Sequence, residues 1–485
     1  MKQLQRFPAY TFLLALFFCL HGAADNLGYI TAAEVLHVFL WLTLAVVIFF
    51  LLILAMSRSL LYAGFIVFFI SLQYFFFGPL KNFFWGIPFF KNYTAFLPLL
   101  FVVNLIVIIV CRKKDLFLRR ACGFLNILLI LYVLVDGVTI LLHRAKAQTP
   151  YAQDIHFNPA AAKDKPDVYF LLFDEYAGYE SLRDSMGFKN DLFYDQLRRD
   201  SFAIIPAFSN YSITPFSMSS IFNMDYLHSV RDSSDIGWRQ TQERMREIKN
   251  ARVFSVFTGI GYSIKTFSLF DVMNNRGMGG NEYLLGHERV LTNKMFHNVI
   301  MKDLGYHLLT GKHAVPALQR WALGDMLVYN EHIEDSLFAG LDHQAPGPVF
   351  TYCHFLMPHF PFLYDSAGMR LSLSAQFEGS PWLDKGRYVS YLKYCNSKIL
   401  SYTKRIIQKD PGALVILLSD HGFRDFNLNM PASAFNNFCA IRCLSKTPDT
   451  SAISNVNLFR SLFNRYFDQQ VPLLNDRRVF LREIP

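Results

Sequence analysis

The feature that most constrains this chain is a series of long apolar runs near its amino terminus. A helix needs roughly 20 predominantly apolar residues to cross a bilayer. The composition agrees, because 52% of the residues are hydrophobic, above the roughly 45–50% of soluble domains. We therefore predict five membrane-spanning helices. Their apolar runs are about Tyr10 to Leu20, Ala33 to Met56, Leu60 to Phe77, Phe96 to Val110 and Cys122 to Leu142.

The first run allows two interpretations. It follows Lys2 and Arg6 and ends in His21-Gly-Ala-Ala, which is also the layout of a cleaved signal peptide. The apolar runs that follow, and a loop-charge pattern that works best with the first run kept, favour an uncleaved helix.

Lysine and arginine in the short loops predict the orientation, because cytoplasmic loops carry an excess of positive charge. Five crossings from a cytoplasmic start put the residues after His143 outside the cytoplasm. We therefore predict a multi-pass protein of the cytoplasmic (inner) membrane, with its carboxyl-terminal part on the periplasmic or extracellular side. The positive segments are those with Lys2 and Arg6, with Arg58, and with Arg112, Lys113, Lys114, Arg119 and Arg120.

The chain divides into three predicted parts: a transmembrane domain over residues 1–144, a polar linker over 145–166, and a soluble α/β domain over 167–485. The net charge of +9 partly reflects the membrane-flanking residues. The sequence has no zinc-finger spacing and no focused basic tract, so nucleic acid is not an expected partner.

A buried strand near the carboxyl terminus leads into a reactive turn. Leu414 to Leu418 is apolar without alternation, as in a strand covered on both faces. Asp420 and His421 follow at its carboxyl end, where ligands collect in open α/β sheets. Gly422 lets the chain bend and bring both side chains onto one cation. The alternative is a capping aspartate and a solvent-facing histidine.

A second strand repeats this layout. Val168 to Phe173 is fully apolar and ends in Asp174 and Glu175. Carboxylates from two strand ends, joined by an imidazole, form a mixed ligand set suited to Zn²⁺ or Mn²⁺. We expect these side chains to converge, although acids at this position also cap turns.

Thr214 and Pro215 mark the start of a helix. Proline favours the first helical position, which makes Thr214 the expected cap. A helix amino terminus also binds anions, and a hydroxyl beside a divalent cation becomes a nucleophile. Capping and catalysis are compatible at this residue.

His359 lies between two prolines after the apolar strand around residues 348–357 and is a candidate ligand for a phosphate oxygen. The alternative is a surface imidazole. His354 lies within the strand and is expected in the core. From Val272 to Gln344 the sequence predicts irregular structure without a motif.

Four stretches in this order resemble the sulfatase-like branch of the alkaline phosphatase superfamily: the strand ending in an acid, the threonine at a helix start, His-Phe-Pro-Phe, and Ser-Asp-His-Gly. With the apolar runs in front, the layout is similar to that of lipoteichoic acid synthases and phosphoethanolamine transferases. The resemblance covers roughly Asp167 to Asp425. It implies an exported α/β domain with an alkaline-phosphatase-like mixed sheet flanked by helices.

The resemblance also implies roles for individual residues. One divalent cation (Mn, Zn or Mg) is held by Asp174, Thr214, Asp420 and His421, with Thr214 as the nucleophile. His359 binds the transferred headgroup.

Two departures from the family pattern matter. Lipoteichoic acid synthases usually have glutamate at the first ligand position, so Glu175 is an alternative to Asp174. Sulfatases carry Cys/Ser-x-Pro-x-Arg, whereas this chain reads Thr214-Pro-Phe-Ser-Met, which argues against sulfate-ester hydrolysis.

The expected function is transfer of a phospho-headgroup, of the phosphoglycerol or phosphoethanolamine type, from a phospholipid donor to a glycan or lipid acceptor at the membrane. Thr214 carries the group as a phospho-threonine. One alternative is a phosphodiesterase or sulfatase-like hydrolase that passes the group to water. The other is an inactive membrane-bound binding or assembly module.

Overall fold

The structure is a computed structural model that describes residues 5–144, 155, 157–228, 230–278, 287–309, 314–342, 346–378, 383–424 and 432–483. It divides into two compact units. The first unit is Met1–Gln148 with Leu285–Leu308, and the second is Thr149–Leu284 with Leu309–Pro485.

The helices and strands are numbered along the chain. The helices are α1 (Tyr10–Asp25), α2 (Ala32–Ser57), α3 (Leu60–Phe75), α4 (Phe77–Trp85), α5 (Tyr93–Cys111), α6 (Asp115–Arg144), α7 (Tyr179–Met186), α8 (Asp191–Arg199), α9 (Thr214–Asn223), α10 (Trp238–Lys249), α11 (Arg252–Gly259), α12 (His287–Thr292), α13 (Phe296–Leu309), α14 (Pro316–Leu323), α15 (Tyr329–Asp342), α16 (Lys385–Lys409) and α17 (Leu458–Tyr466). The strands are β1 (Val168–Phe173), β2 (Ala203–Ile204), β3 (Ala207–Phe208), β4 (Ser234–Ile236), β5 (Ser263–Phe267), β6 (Val349–Phe355), β7 (Leu414–Leu418), β8 (Asn436–Asn437), β9 (Cys439–Arg442), β10 (Ile453–Ser454) and β11 (Leu481–Glu483).

The first unit is built from the apolar helices. Each predicted apolar run is helical, but only α2, α5 and α6 among the described residues are long and apolar enough to cross a bilayer alone. The pair α3 and α4 bends by 69° and adds a fourth crossing if it is one broken span. At about 1.5 Å per residue, the 16 residues of α1 fall short of the roughly 30 Å hydrocarbon core. The predicted count of five is therefore not confirmed.

The second unit is organised around a six-stranded mixed sheet with the order β2-β9-β7-β1-β6-β5. β1 pairs in parallel with both β7 and β6, and β5 pairs in parallel with β6. β9 and β2 run antiparallel at one edge. All residues of β1, β6 and β7 are buried, because these strands are covered on both faces. Apolar helices ahead of a mixed-sheet α/β domain agree with the predicted fold class at this level.

Register fixes which residues emerge together at the carboxyl edge of the sheet. Leu172 of β1 pairs with Leu418 of β7. Asp174 and Asp420 each lie two residues beyond that pair, so they emerge side by side. Side chains two residues apart on a strand share a face.

Gly422 allows the chain to turn sharply after β7. A Cβ atom at this position would lie under 3.0 Å from the carbonyl oxygens of Ser433 and Asn436. Its own N–H donates to the carbonyl oxygen of Ala434 at 2.9 Å. The close backbone packing leaves room for glycine alone.

The structure contradicts the sequence prediction for residues 272–344. Residues 272–344 were predicted to be irregular, but they contain α12 to α15. Tyr329, Ile333 and Leu337 are buried at helical spacing, a short stripe that polar neighbours hide in the sequence. The boundaries 1–144, 145–166 and 167–485 remain a prediction, and linker residues 145–154 and 156 lie outside the described part of the chain.

We expect Gly422→Ala to lower the free energy of unfolding by about 1–3 kcal/mol, the usual cost of overpacking. The measurement is chemical or thermal unfolding of the purified protein. Gly259→Ala is the matched control, because a Cβ there has no neighbour within 4 Å. Equal stability of the two variants would contradict the crowding described above.

Candidate active site

Two aspartates from neighbouring strands form the base of the candidate site. Asp174 and Asp420 are both fully buried. Asp420 Oδ1 accepts a hydrogen bond from the backbone N–H of Glu175 at 3.0 Å. Asp420 Oδ2 is buried and accepts no hydrogen bond within the described part of the chain. Within the described part of the chain this oxygen contacts His421 Nε2, at 3.2 Å, without a hydrogen bond, which leaves it available to a cation.

His421 completes a three-residue group. Its Nε2 lies 3.2 Å from Asp420 Oδ2 and 4.0 Å from Asp174 Oδ1. Its Nδ1 lies 2.8 Å from the carbonyl oxygen of Gly422. Because a carbonyl can only accept, Nδ1 is the donor in this contact, which orients the ring with Nε2 toward the carboxylates. A metal-ligating histidine is held in this way.

Thr214 brings a hydroxyl to the same group. Its Oγ1 lies 3.2 Å from His421 Nε2 and 3.4 Å from Asp174 Oδ1. Thr214 is the first residue of α9, and Ile213 occupies the cap position without a side-chain hydrogen bond to the helix. The capping role expected for Thr214 is therefore wrong by one residue. Its hydroxyl faces the acids and not the helix N–H groups.

The helix that carries Thr214 is held firmly. All ten residues of α9 are buried. Ser217, one turn after Thr214, donates a hydrogen bond to the carbonyl oxygen of Asp420 at 2.6 Å. The same carbonyl accepts from the Asn455 side chain at 3.0 Å. Helix α9 and the turn after β7 are thus joined by a hydrogen bond.

The residues present fit a divalent cation. Asp174, Asp420 and His421 offer ligand atoms that all lie within 4.8 Å of one another. Burial raises the pKa of Asp420, and the nearby Asp174 carboxylate raises it further. Burial also acts to raise the pKa of Asp174, but His359, His354 and His421 outweigh it and lower that pKa below its usual value. A cation held by Asp174, Asp420 and His421 would relieve the repulsion between the two acids.

His354 supports the site from β6, a contact that sequence reasoning missed. It is fully buried, as expected of a core residue, but its Nε2 lies 3.3 Å from Asp174 Oδ2. Its Nδ1 lies 2.9 Å from the Tyr352 hydroxyl. His354 pairs in register with Leu172, two residues before Asp174. The contact between His354 and Asp174 can therefore be predicted only once β6 is known to pair with β1.

Glu175, His359 and Arg424 form a second cluster beside the acids. Glu175 Oε1 accepts from the Arg424 backbone N–H at 2.9 Å and lies 3.5 Å from Arg424 Nε. Glu175 Oε2 lies 3.7 Å from His359 Nε2. The Glu175 carboxylate thus contacts Arg424 and His359, whereas Asp174 lies in the three-residue group. Sequence reasoning did not identify Arg424.

His359 lies at the edge of this cluster. Its Nε2 is 3.3 Å from Arg424 Nη2, and its Nδ1 contacts the carbonyl oxygen of Phe360. Its side chain is 12% exposed, in contrast to the fully buried Asp174 and His421. A partly exposed imidazole next to a guanidinium suits an anionic group of a ligand.

None of the protein-family models matches this sequence, and no curated protein is significantly similar to it. Solved structures are similar to this chain at low identity and low TM-score. The C-terminal periplasmic domain of EcEptC from Escherichia coli is 9% identical over 66% of this chain and 90% of its own, with a TM-score of 0.39. That domain was also solved in complex with Zn.

A putative sulfatase from Bacteroides thetaiotaomicron is 10% identical over 65% of this chain and 74% of its own, with a TM-score of 0.39. The phosphonate monoester hydrolase SpPMH from Silicibacter pomeroyi is 13% identical over 65% and 76%, with a TM-score of 0.38. These proteins are members of the alkaline phosphatase superfamily, which the sequence motifs also resemble. At these identities and TM-scores the comparisons carry no argument about this chain, and the interpretation of its residues rests on the geometry of the site.

We expect Asp174→Asn to lose bound divalent metal. Removing a ligand should weaken affinity by at least the roughly 10–100-fold seen for residues that only orient ligands. The measurement is metal content by mass spectrometry after purification in defined Zn²⁺ and Mn²⁺. Asp410→Asn is the control, because Asp410 is a partly buried acid at the opposite end of β7. Equal metal content in both variants would contradict the proposed ligand set.

Proposed function

We propose that this chain is a membrane-anchored, metal-dependent phosphotransferase that uses Thr214 as its nucleophile. The observation that carries this proposal is the Thr214 hydroxyl, which faces Asp174 and His421 from the first turn of a buried helix. This placement supports a nucleophilic role, because the hydroxyl contacts the acid and the imidazole.

The proposed cation would be held by Asp174, Thr214, Asp420 and His421. When bound, it lowers the pKa of the coordinated hydroxyl and offsets the charge of the two acids. The candidate metals are Zn, Mn and Mg, and the mixed nitrogen and oxygen ligands favour Zn²⁺ or Mn²⁺.

The reaction has two in-line steps. Thr214 Oγ1 forms a bond to the phosphorus of a phospholipid headgroup, and the bond from phosphorus to the diacylglycerol oxygen breaks. The diacylglycerol oxygen takes up a proton in place of the one that Thr214 releases. A hydroxyl of a glycan or lipid acceptor then forms a bond to phosphorus, and the Thr214 side chain leaves and regains a proton.

The apolar helices support a lipid donor of the phosphoglycerol or phosphoethanolamine type. At least three helices are long and apolar enough to cross a bilayer. An anchored domain meets a donor that stays in the bilayer at a high effective concentration. The loop charges support a catalytic unit outside the cytoplasm.

We expect a phospho-adduct on Thr214 after incubation with phospholipid, detected by mass spectrometry of the intact protein and its peptides. The added mass identifies the headgroup. Thr214→Ala should lack the adduct and lose turnover by about a thousandfold or more. Thr258→Ala, a change on α11 where the hydroxyl bonds only to its own helix, should retain both. An adduct that persists in Thr214→Ala would overturn the assignment.

Product analysis separates transfer from hydrolysis. A transferase releases little free headgroup phosphate until a glycan or lipid acceptor is added. Release at the same rate without acceptor would favour a hydrolase with the same site. A purified protein without metal, whose cellular role survives Thr214→Ala, would instead favour the binding module.

We expect His359→Gln to raise KM for the donor more than it lowers kcat, because we assign it to headgroup binding. The loss of a hydrogen bond to a charged group is worth about 1.5–3 kcal/mol, or roughly 10–100-fold in KM. Steady-state kinetics with the lipid donor measure both constants. His332→Gln, at an exposed position of α15, is the control. A fall in kcat at constant KM would argue for a role in the chemical step.

A further inference from the structure

Helices α12 and α13 come from the middle of the second unit's sequence but pack within the first unit. Leu291 of α12 and Met295 are 4% and 2% exposed. Both belong to the same apolar cluster as Tyr10 and Phe18 of α1. A Cβ atom at Gly22 would lie 2.6 Å from Leu291 Cδ2. The Leu291 side chain therefore packs directly against the backbone of α1 at this glycine.

A second contact joins α13 to the bend between α3 and α4. The backbone N–H of Gly78 donates to the carbonyl oxygen of Lys294 at 2.8 Å. The Phe296 ring meets the Phe77 ring edge-on, with centroids 4.8 Å apart. Backbone and aromatic contacts together fix the start of α13 against the bend.

A third contact is electrostatic. Asp303 Oδ2 accepts hydrogen bonds from both Lys81 Nζ and the Tyr93 hydroxyl. The side chains of Lys81 and Asp303 are 15% and 23% exposed, so water screens the pair only in part. Lys81 Nζ also lies 4.6 Å from the centre of the Trp85 ring. One carboxylate on α13 therefore ties together α4 and the start of α5.

We infer that residues His287–Leu309 are a docking segment that makes the enzyme specific for donors held in the membrane. The inference rests on the proposed function. The chain enters this segment from the second unit and returns to it, so docking adds two covalent connections to the one through residues 145–166. These added connections raise the effective concentration, at Thr214, of a donor that stays in the bilayer. A small soluble ester reaches Thr214 from water in any case.

The test compares two substrates on the full-length protein in liposomes of phosphatidylglycerol and phosphatidylethanolamine. The liposome lipids are the membrane donors, and bis(p-nitrophenyl) phosphate is the soluble ester. We expect Asp303→Asn to lower lipid turnover by about tenfold and to leave ester turnover within about twofold. The double variant Lys81→Asp with Asp303→Lys should recover most of the lipid turnover. Lys302→Met, an exposed change on the same helix, should alter neither.

Each other outcome overturns the inference. Equal losses on both substrates would mean that Asp303 affects only stability, and unchanged lipid turnover would mean that docking has no role in donor choice. Failure of the proposed function is distinguishable, because Thr214→Ala would then leave ester turnover intact.

Hydrogen exchange tests the docking without any activity. Asp303→Asn should speed exchange of the α13 amides in the full chain, and Lys302→Met should not. Unchanged exchange in Asp303→Asn would overturn the docking role of this carboxylate.

Discussion

The candidate site depends on two buried carboxylates placed side by side at the edge of one sheet. Parallel pairing of β1 with β7 puts Asp174 and Asp420 at equivalent positions, both without access to water. Burying one ionised carboxylate is costly, and burying two together is more so unless positive charge and hydrogen bonds compensate. The residues around them supply part of that compensation, through His354 and the backbone N–H of Glu175.

This arrangement needs a rigid frame, because carboxylates that repel each other separate when the backbone allows it. The turn after β7 is held by Ser217 from α9 and by Asn455, which both donate to the carbonyl of Asp420. Ser419 adds a further restraint, since its hydroxyl donates to the carbonyl of His421 at 2.6 Å and accepts from the Tyr176 N–H at 2.9 Å. The frame fixes the ligand atoms before any ion binds, so little reorganisation is needed on binding.

The sequence was informative where local pattern and chemistry coincide. The strands before Asp174 and Asp420 were predicted with their bounds. A continuous apolar run predicts a strand buried on both faces without knowledge of the strands beside it. His354 was expected in the core, but its contact with Asp174 was not predicted, because that contact depends on which strand lies beside β1. Arg424 was missed because its partner Glu175 is far away in sequence. Helix α9 was predicted to begin at Pro215 with Thr214 as its cap, but it begins at Thr214. Errors of one or two residues are usual at helix ends.

In the amino-terminal part, too, local sequence pattern predicted the helices but not the contacts between distant residues. Hydropathy located α1, α2, α3, α5 and α6 but did not give the number of crossings, because α1 is short and the α3–α4 pair is bent. The packing of α12 and α13 within the first unit could not be predicted from hydropathy. It arises from single residues such as Leu291 and Asp303 whose partners lie more than 200 positions earlier in the chain.

The position of Thr214 at the start of α9 has a consequence for how this protein can change over time. Its hydroxyl contacts Asp174 and His421, while the helix itself is held by its buried residues and by Ser217. Loss of that one oxygen atom would remove the proposed nucleophile and leave these packing contacts in place. Under the proposed function, an active catalyst and an inert pseudoenzyme of the same fold would therefore be separated by a single codon.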